Sequence, residues 1–468
     1  MMHINQKNIF LLIWCLILSS INSYSTDFIF NHYFDFKINI QNIYFLIELI
    51  RFTLPFLIFV YLFIVFLLNK RAKDKFFYIF FCYAIWQLII GNFSSEEGIK
   101  LNDYQITISF FCVLLIFHIS YIKNYNDLLI KFFYIFILFI SLISLYFTIT
   151  LYKEFINDPQ TYYFYLTKTL AIEGRSFGQV NPRITGLGRI LLIIFYFLFY
   201  FTFTKNHKTI NQIFYILIMF FLTMTIYASQ TRLNFVGIFI SLIIYIFLIN
   251  QNLLKKFLFI FLIFILPIIS FEFILKKKNI LLNEKSYNSL EKSNDSSDTE
   301  KKIYKEGIDA YRFSNTDIGT SGRTAIWRNL LNIIISKRIL FGNGPQSDRI
   351  LLSEYYKNNY TQHGYENDLL FGTNSSNAII YSFLCGGVIG LLFLLNIYYL
   401  VFKKIFNFYS YKKKKTIKLK FFDYFFITTL CFLFIRSLFE NSFALFGIDF
   451  CLLCLSFYIF SNNKIKSH

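Results

Sequence analysis

The stretch Lys131-Phe132-Phe133-Tyr134-Ile135-Phe136-Ile137-Leu138-Phe139-Ile140-Ser141-Leu142-Ile143-Ser144-Leu145-Tyr146-Phe147-Thr148-Ile149-Thr150-Leu151-Tyr152-Lys153 holds no charge between its two lysines. A helix crossing a bilayer needs about 20 such residues, at a rise of about 1.5 Å each. Runs of this kind recur, and they predict spans at about 8–23, 45–69, 76–92, 105–122, 131–152, 185–204, 209–228, 233–250, 256–275, 376–402, 421–440 and 443–461. The expected fold is an all-α polytopic membrane protein of about twelve transmembrane helices, with one large outer loop containing short helices. Composition agrees: 56% of the residues are hydrophobic, above the roughly 45–50% of soluble domains.

The net charge of +19 could serve nucleic acid. Here it lies in short clusters between apolar runs, which implies membrane lipids as partners and no nucleic acid. One set of alternate loops carries Lys70–Lys75, Lys123–Lys131, Lys205–Lys208, Lys255–Lys256, the dense Lys403–Lys420 run and Lys464–Lys466. The positive-inside rule makes these cytoplasmic. Both termini are then cytoplasmic if the first helix is retained; its alternative is a cleaved signal peptide. The chain divides into 1–275 with helices one to nine, 276–375 as a large outer loop, and 376–468 with helices ten to twelve. Within that loop, Asn283–Lys302 is polar and predicted mobile, whereas Ala325, Ile326, Leu330, Leu331, Ile333 and Ile334 recur at helical spacing. Phe341-Gly342-Asn343-Gly344-Pro345 reads as the turn that ends this helix. All seven cysteines lie in apolar stretches, so neither a disulfide framework nor a zinc site is implied. Cys451 and Cys454 read as packing residues inside a helix.

Arginine is distributed unevenly. Of 46 Lys+Arg only 12 are Arg, and on this topology all but Arg71 lie on the outer side. A guanidinium grips phosphate oxygens with a rigid fork and keeps its charge when partly buried. Arginine reserved for one face therefore points to an oxyanion ligand there.

Five groups of residues could carry chemistry. Ser321-Gly322-Arg323-Thr324-Ala325-Ile326-Trp327-Arg328, followed by Phe341-Gly342-Asn343-Gly344, offers a helix start beside arginine, an anion site; an ordinary capped surface helix is the alternative. Arg183 and Arg189 flank Gly186 and Gly188 where an outer loop enters a span, and Arg189 lies further into the apolar stretch; simple snorkelling competes with a binding role. Ser229-Gln230-Thr231-Arg232 is a tight outer turn with no structural need for arginine. His363, Glu366 and Asp368 precede Ser376-Asn377 at a helix mouth, and the glycines Gly386, Gly387 and Gly390 that follow suit close helix packing. Arg436, finally, reads either as the partner of Glu440 in an i, i+4 ion pair or as a substrate ligand.

In these motifs the chain resembles the family of O-antigen ligases and O-antigen polymerases. The matching features are Ser-Gly-Arg-x-x-x-Trp…Phe-Gly-x-Gly at Ser321–Gly344, the turn ending at Arg232, and Asn377 followed by glycines, with the large loop set late among the spans. The resemblance implies an inverting, metal-independent glycosyltransferase without cofactor, in the bacterial inner membrane with its site facing the periplasm. The donor it implies is an undecaprenyl-diphosphate-linked oligosaccharide, and other polysaccharide-assembly proteins are possible partners. Arg232, Arg323 and His363 would be catalytic; Arg183, Arg189, Arg328, Ser376, Asn377 and Arg436 would bind diphosphate and glycan. In one respect the chain departs from the pattern: the ligase branch carries His just before the Asn that opens helix ten, and here that position is Ser376. A serine hydroxyl is no comparable base near neutral pH, which favours polymerase over ligase. A flippase or transporter for the lipid-linked sugar is the alternative of another class; it would show two related halves and midplane charges, and the sequence has neither.

Overall fold

Each predicted span is a helix in the computed structural model. The structure describes residues 5–21, 40–69, 74–93, 101–157, 184–204, 209–229, 232–248, 252–290, 323–337, 339–345, 347–360, 375–413, 421–440 and 447–465, and no strand occurs among them. In chain order the helices are α1 (Gln6–Ile21), α2 (Ile40–Leu68), α3 (Lys75–Phe93), α4 (Leu101–Ile122), α5 (Asn126–Asn157), α6 (Ile184–Thr204), α7 (Thr209–Ala228) and α8 (Arg232–Leu248). Next, α9 comprises Leu253–Ile260, a π-helical turn Phe261–Ile265 and Leu266–Leu290. The π turn has a local cause: Pro267 has no N–H to offer the carbonyl one turn back and clashes with it. Two helices of the late loop follow, α10 (Arg323–Ser336) and α11 (Ser347–Tyr360), then α12 (Ala378–Lys413), α13 (Phe421–Ser437) and α14 (Ile448–Ile465). Among the described residues, six helical stretches are long and apolar enough to cross a membrane, and five shorter apolar ones accompany them. Asn283–Leu290, expected within a mobile segment, continue α9 instead; extending a formed helix costs little once it is nucleated.

The chain forms two compact units, one of Met1–Phe136 with Thr320–His468 and one of Ile137–Gly319. In the first, α3 packs on α12 and α4, α14 on α4 and α13, and α10 and α11 on α12. Aromatic rings fill these contacts. Phe76 stacks on Phe457 and Phe110 on Phe450, each pair with centroids 3.9 Å apart. Helix α1 is joined to them: Trp14 Nε1 donates to Phe132 O at 2.9 Å, and Lys123 Nζ to Gln6 Oε1 at 2.8 Å. In the second unit α6 packs on α7 and α8, and α7 on α9. Tyr196 OH donates to Gly237 O at 2.7 Å, and Lys256 Nζ to Ile246 O at 2.7 Å, which caps the end of α8.

One polar knot ties three helices at the first unit's end opposite the late loop. Asp74 caps α3 by accepting from Phe76 N and Phe77 N at 3.1 and 3.3 Å. The same carboxylate meets His118 Nδ1 of α4 at 3.0 Å and accepts from Tyr458 OH of α14 at 2.8 Å. Burial pushes the Asp74 carboxyl up, but the bonds from His118 and Tyr458 outweigh it and hold the pKa below the ordinary value. A depressed folded pKa stabilises the fold above the unfolded value, and this contribution is lost as pH falls through the folded one. Asp74→Asn should therefore cost about 2 kcal/mol at pH 7. Thermal melts in detergent from pH 7 to pH 3 should show the parent losing its advantage over the variant only below about pH 4.

Candidate functional site

Helix α12 is broken. Gly387 sits at φ 62°, ψ −155°, a region open essentially to glycine alone. In an unbroken helix Val388 N would donate to Leu384 O. Here it donates to Leu340 O at 3.0 Å, and Leu384 O accepts from Asn343 N at 2.8 Å. The next two carbonyls also find partners: Cys385 O takes Gly344 N at 2.9 Å, and Gly386 O takes Trp86 Nε1 of α3 at 2.7 Å. The segment from Leu340 to Gly344 is thus more than the turn its sequence predicts. It is threaded into the break and replaces the missing helical ladder. Glycine is required at the contact. A Cβ on Gly387 would lie 2.1 Å from Leu340 O, one on Gly342 (φ 89°) 2.5 Å from Gly387 N, and one on Gly344 (φ 88°) 2.4 Å from Gly91 Cα of α3. Beneath the loop, Leu330, Ile333, Ile339, Leu351, Leu352 and Leu384 form one buried cluster that fixes α10 and α11 to α12.

The mouth of α12 is built around Asn377. Its Oδ1 caps the helix by accepting from Ile379 N and Ile380 N at 2.9 and 3.1 Å. Its Nδ2 donates to Leu438 O, beyond the end of α13, at 2.9 Å. Ser376, half-buried, has a left-handed backbone with φ 45°. Ser375 N donates to Oδ2 of buried Asp348 at 2.7 Å, and Trp327 Nε1 of α10 donates to Ser375 O at 2.9 Å. The Trp327 ring also lies 6.3 Å from that of Phe439. The Trp327 motif thus meets the Ser375–Asn377 stretch at the mouth of α12, and the glycine loop joins the same helix about two turns further along, at Leu384–Val388.

Arg436 departs from expectation. Its charged partner is Asp449 of α14, with Nε donating to Oδ2 at 3.0 Å, rather than Glu440 one turn on. Both side chains are only 7% exposed. A guanidinium inside an apolar bundle needs a counter-charge more than a surface pair does, and the i, i+4 rule describes helix surfaces. Asp449 was detectable: it is a carboxylate within a predicted span, where charge is costly. Asp348 carried no such signal, since it lies in a polar loop.

The other predicted residues are placed as follows. Arg232 and Arg323 are the first residues of α8 and α10, and their side chains lie outside the described residues, as do Arg183 and His363 altogether. Arg189 is half-buried in α6, and Arg328 is exposed on α10. Arg323, Arg328, Ser376, Asn377 and Arg436 belong to the first unit, Arg189 and Arg232 to the second.

Two substitutions test this geometry. Gly387→Ala should destabilise the protein by more than about 3 kcal/mol, read as a fall in melting temperature and in folded yield. Asp449→Ala should cost about 3–5 kcal/mol by leaving Arg436 buried alone, and Arg436→Met with Asp449→Leu should recover most of that loss. A double variant as unstable as Asp449→Ala would show that the pair is not a simple brace.

Residues 217–395 match the family model described as O-antigen ligase. No curated protein matches the chain. The matched stretch begins inside α7, takes in α8 to α11 and ends in α12 beyond Gly387. It contains Arg232, the Trp327 helix, the glycine loop and the mouth at Ser376-Asn377, and over this stretch the chain is similar to the O-antigen ligase family.

Proposed function

We propose that the chain polymerises undecaprenyl-diphosphate-linked oligosaccharide repeat units at the periplasmic face of the inner membrane, with both termini cytoplasmic. The observation that carries this reading is the first part of α12, where the Trp327 motif joins the mouth at Ser375–Asn377 and the glycine loop joins the break at Gly387. Arg323 and Arg232 each open a helix. A helix start offers backbone N–H groups and the positive end of the helix dipole, chemistry that suits a diphosphate beside a guanidinium. Arg183, Arg189 and Arg328 are the further candidates for binding diphosphate and glycan.

In the reaction the bond from the anomeric carbon to the diphosphate oxygen breaks, and its electron pair stays on the diphosphate. An acceptor hydroxyl attacks from the opposite face, and its oxygen forms the new glycosidic bond with inversion. The hydroxyl proton passes to a base, for which His363 is the candidate and Glu366 and Asp368 the rivals. Fixed guanidinium groups, rather than a metal ion, meet the charge growing on the leaving group, the kind of term that dominates such catalysis. Ser376 and Asn377 orient the acceptor. Arg436 can touch substrate only with the part of its guanidinium that Asp449 leaves open.

A second reading has its own support. The matching family is described as O-antigen ligase, and a ligase would pass finished glycan to lipid A core or to a protein. The residue at position 376 speaks for the polymerase. Deleting the gene separates the two: loss of a polymerase leaves single repeats on the acceptor, whereas loss of a ligase leaves full chains on the carrier lipid. For the shared chemistry, Arg323→Ala and Arg232→Ala should each slow chain extension from a lipid-linked repeat unit in vitro by about 10²–10³-fold. Undiminished extension by both would refute the diphosphate cradle.

A further inference from the structure

Helix α10 is apolar on two opposite sides. Leu330 and Ile333 are buried in the cluster against α11 and α12. At about 100° per residue, Leu331 and Ile335 point away from that cluster. They are exposed, Ile335 by 73%, and Arg328 shares their stripe. The turn that follows extends the apolar surface with Leu340 and Phe341, exposed by 62% and 65%. A loop helix that stood in water would have no cause to be apolar on its far side.

What covers this strip follows from where it leads. Leu340 O accepts from Val388 N at 3.0 Å, so the turn lies alongside the second half of α12. There Val388 and Leu392 are exposed as well, on a helix long and apolar enough to cross a membrane. The exposed apolar residues of α10 and its turn thus lead to the exposed apolar side of a helix long and apolar enough to cross a membrane. We infer that α10 is an interfacial helix, with Leu331, Ile335, Leu340 and Phe341 sunk among phospholipid acyl chains and Arg328 at the level of the phosphates. Interfacial helices of this type keep apolar residues about 5–10 Å below the head groups and cations beside them. The inference rests on exposure and continuity alone and holds for a polymerase, a ligase or neither.

Site-directed spin labelling of the full chain in phospholipid nanodiscs tests it. The two exposed cysteines, Cys15 and Cys82, are changed to Ser, and a single labelled Cys replaces Leu331, Ile335, Phe341 or, as the aqueous reference, Glu354. Labels at Leu331, Ile335 and Phe341 should collide several-fold more often with oxygen than with a nickel chelate, and the label at Glu354 should show the reverse. Nickel-dominated collisions at Leu331 and Ile335 would overturn the inference by placing α10 in water. Low collision rates with both reagents would overturn it in favour of a covering protein surface, such as a second copy. Photolabelling of the unaltered chain by a diazirine-bearing phospholipid provides a check free of substitutions: label on the peptide spanning residues 331–341 supports the inference, and its absence there, with α12 labelled, contradicts it.

Discussion

A helix cannot break inside a membrane without new partners for the backbone groups it releases, because no water is there to take them. This constraint organises the first unit. The break at Gly387 frees Val388 N and the carbonyls of Leu384, Cys385 and Gly386, and each has a substitute partner in Leu340, Asn343, Gly344 or Trp86. A stretch of the late loop is thereby built into α12. The consequences extend outward. With residues 340–344 fixed, Ile339 and the α11 residues Leu351 and Leu352 complete the cluster that holds α10. With α10 fixed, Trp327 reaches Ser375 and sets the residue before the mouth. The glycines therefore act through the close backbone packing they allow.

The helices were legible because bilayer thickness imposes one length and one polarity on every span, and no tertiary detail can override that. The break was not. Gly386-Gly387 reads as a packing groove between helices, and Phe341-Gly342-Asn343-Gly344 as a turn; each reading is locally sound, and neither segment reports the other. The ends of elements were legible only where the bilayer sets them, so α9 overran into a polar sequence that composition assigns to coil. At the site, Asn377 could be recognised as the opening of a helix, but its bond to Leu438 links residues 61 apart in sequence, and no spacing rule reaches that far.

Arginine shows how far a compositional argument extends. On the topology expected from the sequence it gathers on one side, but an arginine so placed is not thereby a ligand. Arg436 gives its Nε to Asp449 and is nearly sealed from solvent, and the pair joins α13 to α14 beside the mouth. Lysines on the other side have similar second uses. Lys404 Nζ donates to Phe457 O at 3.1 Å and lies 4.0 Å from the Phe457 ring centre, while Lys256 closes the end of α8. Of the charges that set topology, Lys256 thus also finishes a helix end, where bare carbonyls favour cations.

The residue before Asn377 bears on the proposed chemistry. Ser376 has φ 45°, a left-handed conformation that costs most residues free energy but in which histidine is itself enriched. The backbone conformation by itself therefore does not select against histidine there. The neighbouring groups are each committed: Ser375 to Asp348 and Trp327, and Asn377 to the helix cap and Leu438. Position 376 is therefore where a ligase and a polymerase could differ by one side chain on the same scaffold. On the proposed reaction, serine at that point would leave proton removal to another group.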